Sequence, residues 1–114
     1  MFDELAFNAN NEFHFSIQLV QQGNETRTYY FQLIKNEWFL TRESHSQLRP
    51  CGEGDDATMA DGSDISTNYL TGEIEEQEYS EKDCNPLKLV KKKSKFSLVR
   101  LSDFYPFMEI APKQ

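Results

Sequence analysis

Carboxylates are the most numerous residues here with the means to do chemistry, and they crowd into one stretch. Glu53, Asp55, Asp56, Asp61, Asp64, Glu73, Glu75, Glu76, Glu78, Glu81 and Asp83 lie together with Lys82 as the single base, a formal charge of −10 in a protein whose total is −7. The remainder sums to about +3, so the acidity is a local patch and not a general surface property. Such a patch attracts either a cation or a basic surface. Calcium loops of the EF-hand type need oxygen ligands at positions one, three and five before a glycine, and the run from Asp56 to Asp61-Gly62 interposes Ala57 and Met59. Zinc needs closely paired ligands, whereas His14, His45, Cys51 and Cys84 are scattered. The spacing therefore points to no metal or other cofactor and favours a basic partner.

Catalysis has no signature either. A nucleophile requires a neighbouring base and donors for developing charge, and the two isolated histidines, His14 and His45, give no such signature. His14 alternates onto the polar side of its segment. The cationic cluster Lys91-Lys92-Lys93-Ser94-Lys95 could contact nucleic acid, but the overall field repels phosphate, so a solvated turn is the reading. The acids of 73–78 could pair across strands with the Lys88 to Lys95 segment, and the six bases Lys88, Lys91, Lys92, Lys93, Lys95 and Arg100 set a ceiling of six on the ten excess charges that this region can offset. The negative surplus left over serves either to steer association, faster at low salt, or simply to keep the protein soluble.

The elements that must carry these groups are strands. Phe13, Phe15, Ile17 and Leu19 alternate with His14, Ser16 and Gln18. Arg27 to Ile34 follows, with Tyr29, Phe31 and Leu33 on one face and Tyr30 and Ile34 on the other, which predicts a mid-sheet strand covered on both sides. After the tight connection Lys35-Asn36-Glu37, a short third strand over Trp38 to Arg42 completes an antiparallel meander. Residues 2 to 7 fit a helical turn or an extended lead-in equally well. Between Glu43 and Asp64 the periodicity vanishes, predicting a long loop. Ile65 to Leu70 reads as a strand and Thr71-Gly72 as a turn. Glu73 to Ser80 is charged on both faces and so belongs at a sheet edge. Leu87, Leu89, Phe96 and Leu98 predict a C-terminal hairpin turning at Lys92 to Ser94, followed by a helical turn at Ser102 that packs Phe104, Phe107 and Met108 onto the sheet. The expected fold is a mainly β antiparallel sheet or small sandwich with one or two short helical turns.

With 114 residues, nine Phe, five Tyr and one Trp, the chain suits a single domain with a real core. Acids at Asp3 and Glu4 replace the positive start of a secretory signal, no apolar run spans a bilayer, and a cytoplasmic location is expected. In that reducing compartment Cys51 and Cys84 read as free thiols, with a disulfide between them the alternative.

Three features in one order, the aromatic meander of Phe13 to Arg42, the stretch Asn68-Tyr69-Leu70-Thr71-Gly72-Glu73, and the lysine-rich segment closing in Leu101-Ser102-Asp103-Phe104, resemble the small acidic immunity proteins of bacterial contact-dependent growth inhibition and related polymorphic toxin systems. The resemblance implies a cytosolic, non-enzymatic protein that neutralises the C-terminal domain of a cognate toxin, often a basic nuclease, without itself touching nucleic acid or membrane. Charge and expected exposure, not family motifs, nominate Asp55, Asp56, Asp61, Asp64, Glu73, Glu75, Glu76 and Glu78 as partner-binding residues, with Tyr69 and Tyr79 as aromatic anchors. Alternatives are a phage-type nucleic-acid mimic that inhibits a host defence enzyme and a small ligand-binding domain, which would show a deep pocket.

Overall fold

The computed structural model describes residues 2–8, 11–19, 24–52, 54 and 58–113. The strands are β1 (Phe2–Asn8), β2 (Glu12–Leu19), β3 (Glu25–Ile34), β4 (Glu37–Cys51), β5 (Thr58–Asn68), β6 (Glu73–Glu78), β7 (Val90–Lys93) and β8 (Val99–Arg100), and a 3-10 turn covers Leu101–Asp103. The first seven follow one another across an antiparallel sheet in chain order, and β8 pairs with β4. The expected mainly β, antiparallel architecture is what the chain forms.

Side-chain alternation places Phe13, Phe15 and Ile17 of β2 beside Phe31, Tyr29 and Arg27 of β3, respectively. Phe15, Ile17, Tyr29, Phe31, Leu40 and Tyr69 form the buried core. The C-terminal segment covers it: the Phe104 ring stands edge-on to Tyr29, Phe31 and Phe15 at centroid distances of 4.8, 5.1 and 6.1 Å. The backbone N–H of Phe107 donates to the Tyr29 hydroxyl at 2.9 Å, and the N–H of Lys113 donates to the Lys95 carbonyl at 2.6 Å. Cover thus comes from the tail on one face. On the other face Tyr30 is half-buried beneath the Arg42 guanidinium, 4.1 Å from its ring centroid, so β3 is mid-sheet as predicted but its second face is not a core.

A bulge shapes β4. Tyr30 pairs with Arg42 and Phe31 with Leu40, leaving Thr41 as the extra residue. A bulge of this kind increases local twist. It divides one edge of β4 between two partners, β8 at Phe39 and Leu40 and β5 from Arg42 onward.

Four expectations are corrected. The predicted loop of 43–64 is largely a long hairpin, β4 running on to Cys51 and β5 starting at Thr58. Its residues, such as Ser44, Ser46, Ser63 and Ser66, are polar on both faces, so no alternation announced it. Pro50 fits because β3 pairing ends at Gln47, leaving its nitrogen no ladder bond to lose. At 2–7 the extended alternative is the one the chain adopts, as strand β1. The acidic strand is not at an edge: β6 lies between β5 and β7, and its charges are tolerated because half of its residues are exposed. The C-terminal hairpin is absent, since β7 pairs with β6 and β8 with β4. Lys92 and Lys93, expected in its turn, are strand residues, and three lysines in a row at the edge discourage pairing with other chains.

Finally, Cys51 and Cys84 form a disulfide with their Cα atoms 5.9 Å apart, overturning the free-thiol expectation. No helix among the described residues is long and apolar enough to cross a membrane.

Candidate protein-binding site

The nominated acids divide into two groups. Along β6, Glu73 lies opposite Lys93 and Glu75 opposite Lys91, while Lys92 Nζ reaches Glu76 Oε1 diagonally at 3.2 Å. Opposite charges at these cross-strand positions compensate one another. The lysine segment therefore neutralises the Glu73 to Glu76 part of the patch.

The second group lies at the other end of β6. Asp64 Oδ2 accepts a hydrogen bond of 3.0 Å from the Tyr79 hydroxyl, and the Tyr79 N–H donates to the Gly62 carbonyl at 3.2 Å, which holds residue 79 beside the β5 segment carrying Asp61 and Asp64. The Tyr79 phenol is pushed up from its ordinary pKa, first by the bond to Asp64, then by desolvation and by the fields of Asp64 and Asp61. Glu78 is exposed and lies 3.7 Å from Arg49, and exposed Glu81 and Asp83 follow in the turn after β6. Asp83 is held below the usual carboxylate range by the backbone N–H of Asn85, helped by the Ser80 hydroxyl. Asp61, Asp64, Glu78, Glu81 and Asp83 against Arg49 and Lys82 leave a surplus of three negative charges at this pole.

Asp55 and Asp56 lie outside the described residues. Tyr69 is misassigned as an anchor: it is 8% exposed, packs edge-on against Phe96 at 4.9 Å, and donates to Glu43 Oε1 at 2.9 Å. Its phenol is pushed far above the ordinary tyrosine value, by burial first and then by the Glu43 carboxylate. Its position after β5, where its N–H donates to the Thr41 carbonyl at 2.8 Å, places it in the core and not at the acid edge.

A half-buried ionic cluster escaped the sequence reading. Arg27 Nε donates to Glu25 Oε1 at 2.8 Å and its second nitrogen to Glu43 Oε2 at 3.2 Å, and the guanidinium lies 4.8 Å from the Phe107 ring centroid. His45 Nε2 is buried 2.8 Å from Glu25 Oε1, but its direction misses hydrogen-bond geometry, so the contact becomes an ion pair only on protonation of the ring. Beside this cluster the tail residues Phe107 to Ala111 border a hollow of about 460 Å³ floored by Arg27, Glu43 and Tyr69. Alternation in 25–27 and 43–45 was the available signal, but it needed the pairing Arg27 to His45 to become visible. Among the described residues no three His, Cys, Asp or Glu side chains are grouped to hold a metal ion.

The chain matches no family model, and no curated protein or solved structure matches it either.

Proposed function

We propose that this protein is a stoichiometric binding protein that engages a basic partner protein through its acidic pole, and that the partner is a cognate toxin domain. The observation that carries this reading is the separation of charge. The lysines of β7 are spent on Glu73, Glu75 and Glu76, while Asp61, Glu78, Glu81 and Asp83 remain exposed beyond their reach. A surplus of one sign gathered on one end of the molecule accelerates encounter with the opposite sign and adds specificity more than raw affinity. Tyr79 supplies an aromatic surface beside the acids, of the kind that interfaces use at their energetic centres.

The resemblance to immunity proteins supplies the class of partner and the bacterial cytosol as the compartment. Thiols are kept reduced there, so in the cytosol Cys51 and Cys84 would meet the partner unbridged.

The test mixes the purified protein with the product of the adjacent toxin-domain gene and measures association by stopped flow at several salt concentrations. A 1:1 complex is expected, with an association rate that falls as salt rises. Asp61→Asn combined with Glu78→Gln, Glu81→Gln and Asp83→Asn should slow association about tenfold at low salt. Unchanged rates in that variant would remove the acidic pole from the interface, and the lack of any complex would remove the toxin reading.

A further inference from the structure

We propose that the Cys51–Cys84 bond is a redox-operated clip that fixes the β6–β7 connection to the end of β4, and that reduction frees this connection while the rest of the sheet stays folded. The two half-cystines are unlike. Cys51 ends β4 and is 5% exposed, whereas Cys84 sits in an exposed turn. Cys84 has a φ of 64°, in the left-handed region that an L residue with a side chain seldom adopts unless it is held there.

Most hydrogen bonds of the turn are internal to it. The Cys84 N–H donates to the Ser80 carbonyl, the Ser80 N–H to the Asn85 carbonyl, and the Asn85 N–H to Asp83 Oδ1. Among the described residues the backbone tie from the turn to β4 is the bond from the Gly52 N–H to the Glu81 carbonyl at 2.9 Å, and farther along the connection the Leu87 N–H donates to the Glu78 carbonyl and the Gln77 side-chain amide to the Leu87 carbonyl. Residues 81–90 are exposed throughout and add nothing to the core of Phe15, Ile17, Tyr29, Phe31, Leu40 and Tyr69. Opening the connection therefore gives up no core packing, and segments with few buried apolar contacts open at low cost.

The reductant is a dithiol. Its thiolate attacks the accessible Cys84 sulfur and Cys51 leaves as the thiolate. The second thiol then closes on the mixed disulfide and releases Cys84. Two electrons pass to the protein sulfurs, the dithiol ends as a disulfide, and its two protons end on the Cys51 and Cys84 thiols.

The test compares the oxidised chain with the chain reduced by dithiothreitol, using hydrogen exchange read by mass spectrometry. Alkylation confirms two thiols, and near-ultraviolet circular dichroism reports the aromatic core. Amides of 81–87 should exchange at least tenfold faster after reduction, with those of β2, β3 and β4 changing less than twofold. The paired substitution Cys51→Ser with Cys84→Ser should reproduce the reduced pattern. Unchanged exchange in 81–87 with both thiols alkylated would overturn the proposal. So would loss of protection across the whole sheet, which would make the bond a global staple. Neither readout involves a partner, so the result is independent of the docking reading.

Discussion

Lys92 Nζ lies 3.2 Å from Glu76 Oε1, an ion pair that crosses the β6–β7 ladder diagonally. Both side chains are partly exposed, at 56% and 35%, so solvent screens the pair and its contribution is under about 1 kcal/mol. Its importance lies in the sum with Lys91 and Lys93. Lys92→Gln should lower unfolding stability by less than about 1 kcal/mol. Replacing Lys91, Lys92 and Lys93 by Glu should lower it by about 1 to 3 kcal/mol, with much of the loss recovered at high salt. Urea unfolding at two salt concentrations measures both.

The tail is a structural cover. Phe104 meets three aromatic residues of the core, and Phe107 anchors to the Tyr29 hydroxyl. Phe104→Ala should destabilise by about 2 to 4 kcal/mol through lost burial and the cavity left behind. Tyr29→Phe should cost about 1 kcal/mol by removing the acceptor of the Phe107 N–H. Chemical denaturation of each variant, with unchanged circular dichroism in the absence of denaturant, checks the values.

Gly72 is the turn residue that admits no replacement. Its φ is 83°, and a Cβ there would collide with the Ser94 carbonyl oxygen. The backbone comes this close because the Ser94 N–H donates to the Gly72 carbonyl at 2.9 Å, joining the β5–β6 turn to the end of β7. Gly72→Ala should lose about 2 kcal/mol or more, since strain and collision add. Thermal unfolding of this variant beside Gly54→Ala, whose Cβ would meet nothing within 4 Å among the described residues, separates collision from the conformational cost alone.

Alkaline pH should destabilise the fold. Burial pushes the Tyr29 phenol up, and burial with the Glu43 carboxylate pushes Tyr69 further. A raised folded pKa means that the neutral phenol is favoured by folding. The stabilisation is therefore complete below the unfolded tyrosine value of about 10 and is lost as pH rises through the folded values. Tyrosinate absorbance should show Tyr29 and Tyr69 silent until unfolding. Tyr69→Phe should weaken the alkaline loss, as followed by urea unfolding across the alkaline range.

The alternation of Phe13, Phe15 and Ile17, and of Tyr29 and Phe31, was legible because one face of β2 and β3 is buried and the other is not. The strand character of 73–78 was legible too. The strand nature of Glu43 to Cys51 was not, because residues such as Glu43, His45 and Gln47 are polar on the face that meets the ionic cluster, and Ser44 and Ser46 are polar on the other. Tyr69 read as a surface anchor because it follows a polar strand and precedes an acidic one. Its burial depends on partners far off in sequence, the Phe96 ring it packs against and the Glu43 carboxylate that its hydroxyl meets.

By itself the sequence determined the antiparallel class, the aromatic content of the core, and a block of excess negative charge, since all three follow from composition and short-range period. The tertiary structure decided which charges remain uncompensated. Whether Lys91 to Lys93 turn back on themselves or pair with Glu73 to Glu76 depends on which strand lies alongside, and strand pairing is a non-local choice. The same reason covers Cys51 and Cys84. Thirty-three positions apart in sequence, they meet because β4, β5 and β6 bring the end of one strand beside the turn that follows another.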